Sequence, residues 1–132
     1  MPHTYLLLLG SNLVVPERLR AALASLATLG TVTPLTEVER MPARGDASRF
    51  YYNALARLDS TLARNALDAR LKQIEVDLGR VRDGSGTVAI DIDLLATRTP
   101  DGWRADPHAL AKQEFVQTPA RDLLAKAGIA ID

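Results

Sequence analysis

Two aspartates carry the clearest chemical signal in the chain. Asp91 and Asp93 interrupt an otherwise apolar run, Val88-Ala89-Ile90-Asp91-Ile92-Asp93-Leu94-Leu95. The run reads as a strand, and aspartate is depleted in strands. Two positions apart on a strand, both carboxylates leave the same face of the sheet, roughly 7 Å apart. Like charges at that spacing repel, and one or two bound cations relieve the repulsion. Hard oxygen donors suit Mg²⁺, which takes one or two carboxylates together with phosphate oxygens and water. Ile90, Ile92 and Leu94 then point to the opposite, core face. On spacing alone, a pair that simply faces solvent fits equally well.

Stepping outward from the pair, the elements that must hold it can be read in order. Residues 4–9 form a short apolar run ended by Gly10-Ser11-Asn12, which predicts a buried strand and a turn. Pro16 suits the first position of a helix carrying Leu19, Leu23, Leu26 and Leu29, with Gly30 as its closing residue. Residues 31–38, rich in Thr and Val, predict a second strand. Residues 41–48, with Pro42, Gly45 and Asp46 among charges, predict a loop. A third strand is expected over 50–58. A second helix is expected over 63–78, with Leu67, Leu71, Ile74 and Leu78 on one stripe and Gly79 as cap. Residues 80–87 read as a charged, glycine-containing loop, 88–95 as the fourth strand and 99–102 as a turn. The tail holds Pro107, His108 and a helix-like stretch near 117–127.

The order β-α-β, β-α-β predicts an α+β fold. It is a ferredoxin-like two-layer sandwich with a βαββαβ core: an antiparallel sheet with both helices on one face, plus C-terminal additions. The chain has 132 residues, which fits a single domain over 1–132. Lys+Arg and Asp+Glu balance at 16 each. No net charge therefore draws the chain to nucleic acid or to anionic membrane. There is no cysteine, which removes disulfides, thiolate metal sites and cysteine nucleophiles and points to the cytoplasm. The run at 5–9 is too short to span a bilayer and lacks the flanks of a signal peptide. The expected partners are small molecules, without nucleic acid or membrane. The expected state is a monomer, with a weak homodimer as the alternative.

Five stretches in order resemble the 6-hydroxymethyl-7,8-dihydropterin pyrophosphokinase family. They are Leu9-Gly10-Ser11-Asn12-Leu13; Tyr51-Tyr52-Asn53-Ala54; Leu78-Gly79-Arg80-Val81-Arg82; Ile90-Asp91-Ile92-Asp93-Leu94-Leu95; and Pro107-His108 followed by Phe115-Val116 and Pro119. The resemblance implies transfer of the β,γ-pyrophosphoryl unit of ATP to the hydroxymethyl group of a reduced pterin. It implies two Mg²⁺ ions held by Asp91 and Asp93. Tyr51 and Phe115 would sandwich the pterin, Asn53 would read its edge, and Pro42 would line the same pocket. Glu75, His108 and Lys112 would serve the nucleotide, and Arg80 and Arg82 its phosphates. The loops 40–49 and 80–87 would close over the bound nucleotide. Read without the resemblance, each residue has a plainer role: Asn53 at a strand edge, Tyr51 and Phe115 in a core, Glu75 on a helix surface, the arginines in a solvated loop.

The sequence also departs from the family's pattern. Where the family carries Trp-Gly-Pro-Arg-Thr before the acidic strand, this chain has Ser85-Gly86-Thr87-Val88-Ala89. Val88 thus stands in place of one phosphate-binding arginine, and Gln113 in place of another. Two other functional classes follow. One is a paralogue that binds pterin or nucleotide without transfer. The other is a ferredoxin-like RNA-binding or ligand-sensing module, which the neutral charge and the missing aromatic RNA-binding pattern disfavour.

Overall fold

A computed structural model describes residues 2–13, 15–43, 46–79, 88–112 and 118–131, leaving aside the side chains of 43, 46–49 and 118. Its strands are β1 (His3–Ser11), β2 (Thr31–Pro34), β3 (Glu39–Ala43), β4 (Asp46–Ser60), β5 (Asp91–Thr99) and β6 (Gly102–Ala105). Its helices are α1 (Glu17–Leu26), α2 (Arg64–Asp77), α3 (Pro107–Ala111) and α4 (Thr118–Ala127). The sheet runs β2-β4-β1-β5-β6, with β3 also paired to β4. Every pairing is antiparallel. Within it, β2-β4-β1-β5 is the strand order of a split βαββαβ unit, so the expected ferredoxin-like α+β arrangement is present.

Both crossover helices pack on one face. Leu19, Ala22 and Leu26 of α1 and Leu67, Leu71 and Ile74 of α2 meet Tyr5, Leu7, Leu9, Ala54, Ala56, Leu58, Ile90, Ile92 and Leu94. The alternate residues of the same strands, Leu6, Leu8, Leu55 and Leu95, build a second core. Ala109 of α3, Trp103 of β6 and Ala120, Leu123 and Leu124 of α4 cover that core. β1 is therefore buried on both faces, which explains why its sequence is a continuous apolar run instead of an alternating one.

The element boundaries differ from expectation in instructive ways. The second strand stops at Pro34, although the amides of Leu35 and Thr36 still reach the Leu55 carbonyl at 3.0 and 3.4 Å. The expected loop at 41–48 instead holds the end of β3 and the start of a 15-residue β4, and the two strands pair. Pro42 argued against a strand there, but proline is tolerated on an edge strand, and β3 is one. Gly30 does not cap α1, which ends at Leu26. It lies where the backbone of β4 passes, and a Cβ there would come 2.0 Å from the Asp59 carbonyl oxygen.

β6 pairs with β5 only from Ala96 to Thr99. One further bond, from the Asp106 amide to the Leu95 carbonyl at 2.8 Å, prolongs that edge. Below it, the outer edge of β5 at Asp91–Leu94 has no strand beside it among the described residues, and α2 and α3 flank the opening.

Candidate active site

Strand register brings the site residues together. Gly10 of β1 pairs with Asp91 of β5 on one side and with Asn53 of β4 on the other, and Asn53 in turn pairs with Glu39 of β3. Directly opposed residues share a face, so Asp91, Gly10, Asn53 and Glu39 form one row across four strands. The alternation along each strand adds Asp93 and Tyr51 to the same face, the one that carries Leu8 and Leu55. With strands about 4.8 Å apart, Asp91 and Asn53 stand about 10 Å apart across the gap that Gly10 leaves. A Cβ at Gly10 would lie 3.1 Å from Asn53 Oδ1. The asparagine side chain therefore leans over the glycine.

Asn53 carries a second informative feature. It is 4% exposed, and its Nδ2 has no acceptor among the described residues. A buried amide donor without a partner costs free energy. Such a group is explained when a ligand supplies the acceptor.

The second part of the site is a cavity of about 160 Å³ at the open edge of β5. α2 contributes Arg64, Asp68, Lys72 and Glu75, β5 contributes Asp91 and Asp93, and the α3 segment contributes Asp106, His108 and Lys112. Past Arg64 and Asp106 it opens into a broader depression of about 660 Å³ lined by Thr97, Arg104, Pro107 and Ala111. Together they reach the size of small-molecule sites. The lining carries both signs: Asp91 and Asp93 on β5, and around them Lys112, Lys72 paired with Asp68 at 3.0 Å, and Arg64 paired with Asp106.

Three sets of hydrogen bonds hold this frame. The Asn12 side chain accepts from the Val88 amide at 2.6 Å, and the Asn12 amide donates to the Val88 carbonyl at 2.9 Å. Asn12, just past the end of β1, thus fixes where the chain enters β5; Gly10 and Ser11, expected in a turn, are instead the last residues of β1. Glu75, 7% exposed, accepts from the Ile92 amide at 2.8 Å. Arg64 donates to both oxygens of Asp106, at 2.9 and 3.0 Å, and Asp106 caps α3 by accepting from the His108 amide. Burial alone would raise the Asp106 pKa. The bonds from Arg64 and from the His108 and Ala109 amides outweigh it and hold the carboxyl below the ordinary carboxylate range.

Of the residues named from the sequence, Asp91, Asp93, Glu75, His108 and Lys112 meet in the cavity. Tyr51 and Asn53 share the face that begins at Asp91. Pro42 lies exposed on β3 opposite Phe50. Arg80, Arg82, Phe115, Gln113 and the loop 80–87 lie outside the described residues. Arg64, Asp68, Lys72 and Asp106 were missed. They belong to no local pattern; only the docking of α3 beside α2 brings them to the cavity. The Asp106-Pro107 step is the one local hint, since aspartate before proline is a helix-start signal.

Mg²⁺ takes oxygen ligands in octahedral geometry and usually keeps several waters. Among the described residues, no group of three or more His, Cys, Asp or Glu is arranged to hold a metal alone. The protein offers two hard carboxylates, Asp91 and Asp93, and leaves other positions open. That fits Mg²⁺ brought in with phosphate oxygens and water, and not a self-sufficient structural metal.

A family model for 7,8-dihydro-6-hydroxymethylpterin-pyrophosphokinase matches residues 6–125. No curated protein sequence matches the chain. No described helix is long and apolar enough to cross a membrane.

Proposed function

The chain belongs to the 7,8-dihydro-6-hydroxymethylpterin-pyrophosphokinase family, and on that premise we propose that it transfers pyrophosphate from ATP to 6-hydroxymethyl-7,8-dihydropterin. One observation carries the reading: the row Asp91–Gly10–Asn53, with a buried Nδ2 that has no acceptor among the described residues at one end and the carboxylate pair at the other. Asn53 donates that N–H to a ring acceptor of the pterin, and Tyr51 lies against the ring. The missing side chain at Gly10 lets Asn53 lean over β1 toward the Asp91 side of the row.

ATP enters at the open edge of β5, where His108, Lys112 and Lys72 face its charge. Asp91 and Asp93 would hold the two Mg²⁺. Held by these two carboxylates, Mg²⁺ would supply neutralisation of the phosphate charge. The substrate oxygen forms a bond to the β-phosphorus as the bond from that phosphorus to the α,β-bridging oxygen breaks. AMP leaves with the electron pair, and the alcohol proton is lost to solvent. The residues bind, orient and exclude water, and no covalent nucleophile is required. Arg80 and Arg82 are assigned to the triphosphate on the strength of the family pattern.

A second reading has its own observation. Val88 holds a position where the family carries arginine; both its backbone groups are tied to Asn12, but its side chain brings no charge. A charge-assisted contact contributes about 1.5–3 kcal/mol. Losing two that tighten in the transition state slows turnover by about 10²–10⁴. A chain slowed that far becomes a pterin-binding paralogue.

The deciding assay is AMP release from ATP, Mg²⁺ and the hydroxymethyl-dihydropterin, beside an Asp91→Ala/Asp93→Ala control. Pterin-dependent AMP that vanishes in the control is the expected result. No AMP, with pterin still bound by calorimetry, would move the assignment to the binding paralogue. Equal turnover in the control would remove the metal-ligand assignment.

A further inference from the structure

We infer that Glu75 is a positioning residue for the Asp91/Asp93 pair, acting through the Ile92 amide and not through contact with the nucleotide. For its catalytic meaning the inference rests on the pyrophosphokinase reading; the hydrogen bond itself does not.

The outer edge of β5 has no strand beside Ile92 among the described residues, since β6 pairs only from Ala96 onward. A backbone N–H on such an edge normally turns to water. Here Ile92 is 6% exposed, and the Glu75 carboxylate, 7% exposed, accepts its N–H at 2.8 Å. Glu75 sits beside Leu71 and Ile74 on the buried stripe of α2, so the helix itself delivers the acceptor. The bond thus does for one residue what a neighbouring strand would do, and it does so midway between the two aspartates.

The peptide planes on either side of Ile92 are those that lead to Asp91 and Asp93. Fixing the Ile92 amide therefore fixes the direction in which both carboxylates leave the strand. Without an acceptor, the buried N–H is unsatisfied. The strand can then turn that peptide toward water, carrying the aspartates with it. Glu75 is not a third member of a ligand cluster, because no three such groups converge among the described residues.

This assignment makes Gln an adequate substitute, since its amide oxygen still accepts, whereas Ala removes the acceptor. A residue that served the nucleotide or the cation through its charge would not tolerate Gln. Two measurements on the whole chain test the distinction. The first is hydrogen exchange of the Ile92 amide by NMR. Protection is expected to fall about tenfold or more in Glu75→Ala and to stay within about threefold in Glu75→Gln. The second is Mn²⁺ binding in the presence of a non-hydrolysable ATP analogue. Affinity is expected to weaken about tenfold in Glu75→Ala and little in Glu75→Gln. Pterin affinity by calorimetry should hold in both.

Unchanged Ile92 protection in Glu75→Ala would overturn the inference. So would a Glu75→Gln variant that keeps Ile92 protection yet loses Mn²⁺ affinity as fully as Glu75→Ala, because charge and not the clamp would then be at work. A wild-type protein that binds no Mn²⁺–nucleotide would instead overturn the pyrophosphokinase reading, and the exchange measurement would still decide the bond.

Discussion

At the scale of single residues, Asn53 shows function set against stability. A buried Nδ2 with no acceptor among the described residues is a cost to the folded chain that a ligand removes. Replacing the amide with an apolar group of similar volume removes that cost. Asn53→Leu is therefore expected to leave thermal stability equal or higher, while pterin affinity drops about tenfold or more. Differential scanning calorimetry and ligand titration on the same preparation check both halves. A variant that is clearly destabilised and binds pterin normally would make Asn53 a structural residue, the plainer reading open to an asparagine on a strand.

At the scale of elements, α3 shows how a five-residue helix can present site residues. Too short to be stable by itself, it is fastened at its start. Asp106, 4% exposed, caps it and takes two N–H bonds from Arg64 at the start of α2. His108 and Lys112 reach the cavity because this latch holds. The folded Asp106 pKa lies below its unfolded value, lowered by Arg64 and two backbone amides against the effect of burial. A lowered pKa contributes stability that is fully present above the unfolded value, about 3.9. That contribution is lost as pH falls through the folded value. Arg64 is 41% exposed, so water screens the pair and the effect is moderate. Asp106→Asn is expected to cost about 2 kcal/mol at pH 7. The gap between variant and wild type should narrow at pH 3, measured by denaturant titration. A gap of the same size at both pH values would deny the ion pair its role.

At the scale of the whole molecule, one sheet serves two cores. The crossover helices close one face, and α3, β6 and α4 close the other, where the ion pair of Lys126 with Glu39 ties α4 to β3. Leu6 to Leu9 contribute alternately to both, so neither core can loosen without disturbing β1. Cooperative unfolding is expected as a consequence. The only tryptophan, Trp103, is buried in the second core and reports on it. Its fluorescence transition should coincide with loss of far-ultraviolet circular dichroism. A fluorescence change at distinctly lower denaturant would mean that the α4 side opens independently.

What was legible in the sequence, and what was not, divides along physical lines. Alternation and helical spacing are local, so the βαββαβ order and the helix stripes could be read directly. So could the shared face of Asp91 and Asp93, because a strand's period of two dictates it. The resemblance to a known family added roles, not geometry. β3 was missed because its residues look like a loop: Pro42 and charges are admissible on an edge strand, here one paired to the adjoining first half of β4. Gly30 was taken for a cap because its requirement comes from Asp59, far away in the chain. The row from Asp91 through Gly10 to Asn53 depends on register between strands, and the cavity depends on where α3 docks against α2. Neither follows from any window of sequence. The chain by itself determined which residues could do chemistry and on which side of their own elements they stand. Only the tertiary structure decided which of them meet, because pairing and docking are set by burial summed over the whole molecule.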